Sequence, residues 1–266
     1  MYCLNEWGVS GRTVFAASVL SARLEYLPRP VLGAFDYETD GLGIVNFRFM
    51  ETDGGPVRIY EAPKKTAAYV IGADTAGEGG DNFVAQVLEN ESGMQVAVMV
   101  LKADEDVFAE QLYCLGRYYN DALIGVETNF STFPVKRLAQ LSYPHQYIRE
   151  RVDTYTNRLS QSYGFRTTSA TRPLIIAGLV REVREQAQNL NDRQTIEEML
   201  SFVRNERGRA EAAYGAHDDC VIALAIAQYI RPQQVVRLST PRLKTEKLID
   251  KLTPEKNGVK TRRKEK

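Results

Sequence analysis

An apolar helix near the carboxyl end constrains the fold of this chain more than any other segment. Residues 217–230, HDDCVIALAIAQYI, become apolar on every side after the two aspartates and are rich in alanine. A helix without a polar face is buried all round, and small side chains let its neighbours approach closely. Pro232 then ends the helix, because proline lacks a backbone N–H. The chain must therefore supply packed elements on several sides of this helix.

Four apolar segments predict the strands of a sheet. AAYVIGAD (67–74), NFVAQVLEN (82–90) and MQVAVMVLK (94–102) form a meander, and ALIGVET (122–128) follows after a helix that opens at Asp104. A parallel doubly wound fold would alternate strand and helix from the start, and this chain does not. We therefore predict an α/β fold with a mixed β-sheet flanked by helices.

The other segments give weaker patterns. The pattern of residues 1–66 predicts short extended segments and no helix. Residues 143–168 are polar and predict a β-hairpin that extends away from the sheet, which we call the excursion. Short helices are expected at FPVKRLAQL (133–141) and over 195–203, and a longer one starts at Thr171 with proline in its first turn. We accordingly divide the chain into 1–66, a domain at 67–235 and a tail at 236–266.

Charge and cysteine content exclude several classes of protein. The net charge is zero, but the segment from Arg237 onward contains eleven Lys or Arg and only four Asp or Glu. We interpret this segment as a basic, weakly ordered tail. Three cysteines argue against a disulfide framework, and the start of the chain resembles no signal peptide. With no apolar run of membrane-spanning length, we expect a protein of the cytoplasm that has no membrane partner.

Acidic residues stand where predicted strands end and where the last helix begins. Asp74 and Glu127 follow two strands, and Asp218 and Asp219 open the helix. Ends of neighbouring strands lie close together, so these carboxylates would meet and repel each other unless divalent metal ions bound between them. Two such ions could activate a water and stabilise the leaving oxygen of a phosphodiester. Taken singly, Asp74 could be a turn former and Asp218 a helix N-cap.

A glycine-rich loop follows the first of these aspartates. GADTAGEGGDNF (72–83) resembles a phosphate-binding loop, but such a loop needs G-x-x-x-x-G-K-[ST], and no segment of the chain supplies that motif. The loop is therefore not predicted to bind ATP, and no cofactor-binding residue is assigned. It is either a flexible acidic connection or the source of an additional metal ligand, Asp81.

The segments YVIGADTAGEGGDNF, ALIGVETNF, YIRERVDTYTNRLSQSYGFRTTSATRPLII and GAHDDCVIALAIA together resemble the nuclease domain of the large terminase subunit of tailed bacteriophages. This family has an RNase H-like fold and cuts concatemeric viral DNA during genome packaging. The resemblance implies catalytic metal ligands at Asp74, Glu127 and Asp219, with Asp218 beside them and Asp81 at a position where the family often has another acid. Mg²⁺ or Mn²⁺ is the implied cofactor, with two ions expected.

The resemblance also implies partners. These are double-stranded DNA, the terminase ATPase portion, the small terminase subunit and the portal, in the cytoplasm of the host cell. Residues 1–66 resemble, more weakly, the segment that joins the family's ATPase motor to its nuclease. The Walker motifs of that motor are not in this sequence, so we expect an isolated nuclease portion, a split gene product or a remnant.

Five arginines lie along the predicted excursion and its exit: Arg149, Arg151, Arg158, Arg166 and Arg172. They could form a solvated surface arm. Phosphate contact is favoured, because a nuclease has to hold a polyanion beside its own acidic site.

Two other functions share these features. A transposase or resolvase has the same fold, but it would favour a separate DNA-recognition domain, and no helix-turn-helix signal is present. A nonenzymatic packaging-assembly module would have no reason to keep mutually repelling acids together. The leading hypothesis is a metal-dependent DNA endonuclease.

Overall fold

The structure, a computed structural model, describes residues 13–41, 43–75, 82–152 and 159–234, without the side chains of residues 151, 152 and 159. The helices of these residues are α1 (Ala17–Leu24), α2 (Glu105–Tyr118), α3 (Phe133–Gln140), α4 (Thr171–Gln186), α5 (Arg193–Leu200) and α6 (Asp219–Ile230). The helix predicted from Asp104 and the buried carboxyl-terminal helix are α2 and α6, and both predictions are confirmed.

A seven-stranded mixed sheet forms the centre of the described chain. In chain order its strands are β1 (Val31–Thr39), β2 (Ile44–Glu51), β3 (Val57–Ile59), β4 (Tyr69–Asp74), β5 (Phe83–Glu89), β6 (Gln95–Leu101) and β7 (Leu123–Val126). They lie in the order β2-β1-β3-β6-β5-β4-β7, and β4 and β7 are parallel whereas the other pairs are antiparallel. The predicted meander and fourth strand are therefore correct.

Among the described residues, two separate hairpins lie outside this sheet. One consists of β8 (Ile148–Val152) and β9 (Leu159–Tyr163), and it confirms the predicted excursion. The other consists of β10 (Phe202–Arg204) and β11 (Ala210–Ala212).

The sheet has helices on both faces. Alternate side chains of a strand point to opposite faces, and β4 follows this rule: Tyr69, Ile71 and Ala73 belong to the core that includes α2, whereas Val70 belongs to the core that includes α6. Leu123 of β7 also packs into the second core, together with side chains of α4 and α5. The apolar helix α6 therefore has the sheet on one side and helices on the other, which explains its lack of a polar face.

Two predictions of secondary structure were wrong. The segment before residue 66 was expected to lack a helix, but it contains α1 in addition to β1, which pairs with β2 and β3. The helix predicted to reach Val203 ends at Leu200. Phe202 is buried against Phe15, with ring centroids 5.8 Å apart, and its strand pairs with β11. These tertiary contacts override the helical pattern of the sequence.

The described residues, which end at Gln234, form one compact unit, and the predicted basic tail at 236–266 lies outside them. No helix in the described ranges has both the length and the apolar character needed to cross a membrane.

Candidate metal centre

The parallel pairing of β4 and β7 brings the first two predicted carboxylates together. Ala73 is paired with Val126, and the backbone N–H of Glu127 donates to the carbonyl of Ala73 at 2.8 Å. Asp74 and Glu127 follow this pair, and both leave the sheet on the face that carries α6. They are only 8% and 5% exposed. Both side chains thus lie at the same edge of the sheet, as the sequence predicted.

A glycine in β4 allows α6 to approach this edge. A Cβ atom at Gly72 would collide with the carbonyl oxygen of Ala223 and the backbone nitrogen of Ala227. Only glycine at position 72, facing alanines of α6, lets the helix backbone lie directly on the strand. Asp219 is the first residue of α6, so this close packing carries its carboxylate to the same edge as Asp74.

The carboxyl groups interact strongly with one another. Burial raises the pKa of Asp74 well above its ordinary value, and a hydrogen bond with Glu127 and the negative charges of Glu127, Asp219 and Asp218 raise it further. A hydrogen bond between two carboxyl groups requires a proton on one of them. The raised pKa of Asp74 is therefore the consequence of burial and of carboxyl groups held close together.

Asp218 occupies the N-cap position of α6 but does not act as a cap. Its side chain accepts no hydrogen bond from the first turn of the helix in the described structure. Instead, one Asp218 oxygen accepts a hydrogen bond from the Arg172 guanidinium at 2.7 Å. The interpretation of Asp218 as an ordinary N-cap therefore does not describe its side chain.

All four carboxylates line one open cleft of about 1160 Å³. This exceeds the roughly 300–1,000 Å³ of a typical small-molecule pocket. Asn129 and Phe130 line it from the loop after β7, and Thr167 from the segment that leads to α4. A cleft of this volume can hold a small ligand or part of a larger molecule.

The residues of the cleft fit a hard divalent cation. Four carboxylates provide only oxygen ligands, the type that Mg²⁺ and Mn²⁺ prefer. The Thr75 hydroxyl also lines the cleft, is buried, and has no hydrogen-bond partner among the described residues. In the described ranges, however, no group of three or more His, Cys, Asp or Glu side chains forms a ready ligand set. Asp218 is engaged by its ion pair with Arg172, and Asp74 and Glu127 interact with each other.

The structure distributes the five predicted DNA-binding arginines over different places. Of those whose side chains are described, only Arg172 lines the cleft, and it is paired with Asp218. Arg149 lies on β8 beside Ser162, and Arg166 is exposed after β9. The backbone of Arg151 lies on β8, and Arg158 is outside the described residues, as is the predicted ligand Asp81.

Three arginines that the sequence analysis missed line the same cleft as the carboxylates. Arg204, Arg207 and Arg209 belong to β10 or to the turn that joins it to β11, and all three are exposed. The Asn205 side-chain oxygen accepts the backbone N–H groups of Arg207 and Arg209 at 2.9 and 3.0 Å, which holds the turn. Asn and Gly between two extended pieces are a hairpin signal, which could have been recognised in FVRNERGRAEA.

Comparisons with solved structures identify the fold. The large terminase nuclease of thermophilic phage G20c with bound magnesium superimposes with a TM-score of 0.55 and 18% identity, over 83% of this chain and 98% of that one. The same nuclease with bound cobalt superimposes with a TM-score of 0.55 and 19% identity, again over 83% of this chain and 98% of that one. The large terminase nuclease domain of Thermus phage P74-26 superimposes with a TM-score of 0.52 and 20% identity, over 80% of this chain and 94% of that one. The sequence matches no protein-family model and no curated protein.

The fold is therefore α/β of the RNase H-like class, as predicted. Within that class it is the fold of phage large terminase nuclease domains, which confirms the resemblance read from the sequence at the level of the fold.

Proposed function

We propose that this chain is a divalent-metal-dependent DNA endonuclease that cuts concatemeric phage DNA during genome packaging. One observation carries the proposal: Asp74, Glu127, Asp218 and Asp219, from two strands and a helix, line one cleft in a fold shared with terminase nucleases. That fold is found with magnesium or cobalt bound in the phage G20c protein, which supports a metal-dependent reaction.

Each acidic residue has a role in this proposal. Asp74, Glu127 and Asp219 would bind Mg²⁺ or Mn²⁺, with Asp218 beside them and Asp81 as an additional ligand. Two bound ions would activate water and stabilise the leaving oxygen of the phosphodiester. The protein's own part is to aim these oxygens from fixed backbone positions, through the β4–β7 register and the first turn of α6. Metal binding would require both Asp74 and Glu127 to be deprotonated, because metal ligands bind as carboxylates.

Arginines would hold double-stranded DNA against this acidic site. Arg204, Arg207 and Arg209 line the cleft, so we assign phosphate contacts to them. These contacts add to those predicted for Arg149, Arg151, Arg158 and Arg166 along the hairpin excursion. Arg172 would instead fix Asp218, since its guanidinium is already engaged. Phosphate contacts hold DNA of any sequence, so little sequence preference is expected.

The domain assignment and partners belong to the same proposal. Residues 67–235 would be the nuclease domain and 236–266 a basic tail. Residues 1–66 would lead toward an ATPase portion while adding β1, β2 and β3 to the sheet. That ATPase portion, the small terminase subunit and the portal would be its partners in the host cytoplasm.

A plasmid cleavage assay tests the proposal. The purified protein should nick and linearise supercoiled plasmid with Mn²⁺ or Mg²⁺ and leave it intact with EDTA. Asp74→Asn should be inactive. Asp36→Asn is the matched control, because Asp36 is an exposed acid of β1 that pairs with Arg48, and it should cleave like wild type. Cleavage that resists EDTA, or none with either metal, would refute the proposed activity and leave the assembly-module alternative.

A further inference from the structure

The first turn of α6 receives its cap from a different helix. The first N–H groups of a helix have no partner within it, and an N-cap side chain usually accepts one from the second or third residue. Here the second residue of α6 is Cys220, and its N–H donates at 2.8 Å to Oε2 of Glu198, which lies on α5. Glu198 thus takes the place that Asp218 would fill as an ordinary N-cap.

Glu198 is well placed to hold that turn rigidly. Its side chain is only 8% exposed, and its other oxygen accepts a hydrogen bond from Gln194 at 3.1 Å, one turn earlier on α5. The start of α5 is fixed as well, because Asp192 accepts both the N–H and the hydroxyl of Thr195 at 2.8 Å. The acceptor is therefore part of a packed helix rather than a mobile surface group.

The sheet holds the same turn from the other side. Gln86 of β5 donates to the carbonyl of Cys220 at 3.3 Å and to the hydroxyl of Thr195 at 2.9 Å. The backbone of Cys220 is thus bound through its N–H to α5 and through its carbonyl to β5. Asp219 precedes this anchored residue directly, and Asp218 is one residue further back.

We propose that Glu198 is a positioning residue for the metal ligands: it caps α6 from the neighbouring helix, which leaves Asp218 and Asp219 to face the cleft. The inference rests on the proposed function, because it concerns the same site. Burial of a carboxylate is costly unless its hydrogen bonds are made, and a negative group at a helix N-terminus is favourable. Without Glu198 the N–H of Cys220 needs another acceptor, and Asp218 stands at the N-cap position, whose side chain usually accepts such an N–H. Capping by Asp218 would break its ion pair with Arg172 and disturb the ligand set.

Substitutions of similar volume test this role. Glu198→Met removes the acceptor but fills the space, and replacement of a buried charge by an apolar group need not destabilise the fold. Glu198→Gln keeps an oxygen for the N–H of Cys220. Gln111→Met is the matched control, since Gln111 is also 8% exposed and hydrogen-bonds the backbone of Phe35, on the other face of the sheet.

The main measurement is Mn²⁺ affinity by isothermal titration calorimetry, with thermal melts of the same samples. Residues that support metal ligands typically change affinity by about 10–100-fold. We therefore expect Glu198→Met to bind Mn²⁺ at least about tenfold more weakly, and Glu198→Gln and Gln111→Met to bind like wild type. Hydrogen exchange should show faster exchange of the Cys220 amide in Glu198→Met alone.

The outcomes separate the two proposals. If wild type binds Mn²⁺ and Glu198→Met binds it equally well, the positioning role is wrong and the metal site stands. A wild type without Mn²⁺ binding would refute the proposed metal site and, with it, the role of Glu198. If Glu198→Met does not fold, the Mn²⁺ affinity of Glu198→Gln decides, and it must equal that of wild type. A tenfold weaker affinity would overturn the capping role, because it would show that the charge of Glu198 matters rather than its oxygen.

Discussion

Asp74→Asn should abolish cleavage and yet stabilise the metal-free protein. Burial and the neighbouring carboxyl groups raise the pKa of Asp74, so the folded state binds its proton more tightly than the unfolded state does. At neutral pH the raised pKa of Asp74 therefore costs stability, and this cost shrinks as the pH falls below the raised pKa and vanishes only below the ordinary pKa of an aspartate. Each unit of pKa shift changes the free energy of unfolding by about 1.4 kcal/mol, which corresponds to about 3–6 °C in Tm for a chain of this size. Asparagine avoids this cost and can still donate a hydrogen bond to Glu127.

Metal should reverse the order of stability. At a Mn²⁺ concentration a hundredfold above the dissociation constant, the free energy of unfolding of the wild type rises by about 2.7 kcal/mol. This raises Tm by about 5–11 °C. The variant lacks a ligand and should gain less. Thermal melts of both proteins, with EDTA and with Mn²⁺ at neutral pH, measure all four values. If Asp74 only formed a turn, asparagine would substitute smoothly, both proteins would respond alike to metal, and cleavage would persist. That result would remove Asp74 from the site and refute most of the mechanism.

Gly72→Ala should lower the unfolding free energy by about 1–3 kcal/mol by overpacking, and it should weaken Mn²⁺ binding because α6 is pushed away from β4. Gly178→Ala is the control, because a Cβ atom there meets none of the described residues within 4 Å. It should leave Mn²⁺ binding unchanged and should leave stability unchanged or raise it. Equal melting temperatures for the two variants would contradict the close packing of α6 on β4. Arg207→Ala with Arg209→Ala should weaken DNA binding and reduce the slope of log affinity against log salt by about 0.9 for each duplex phosphate that the variant no longer neutralises. Arg48→Ala, on the distant β2, should leave the slope unchanged, and an unaltered slope in the double variant would assign the hairpin arginines to the solvated surface. The purified chain should not hydrolyse ATP, since its sequence has no G-x-x-x-x-G-K-[ST] loop; turnover above that of a boiled sample would contradict this.

Much of the fold could be predicted because its signals are local. The apolar strands β4–β7 and the apolar helix α6 follow from runs and periods of the sequence itself. The alternation of side chains along a strand also fixes that Gly72 and Asp74 share a face. From strand ends and a helix start alone, the sequence indicated that Asp74, Glu127 and Asp219 could meet.

Other features depend on partners that are distant in sequence. Arg172 looked like a DNA contact, but it pairs with Asp218, 46 positions away. Glu198 gave no signal at all, because a helix cap supplied by another helix leaves no local pattern.

The amino-acid sequence by itself determined which segments become strands and helices, and that acids stand at their ends. Tertiary structure decided which of those acids is held by an arginine, which residue caps α6, and that residues 202–212 form a hairpin at the cleft. The physical reason is that backbone periodicity is a property of neighbouring residues. The partner of a buried polar group, by contrast, depends on which elements pack together, and packing is fixed by the whole fold.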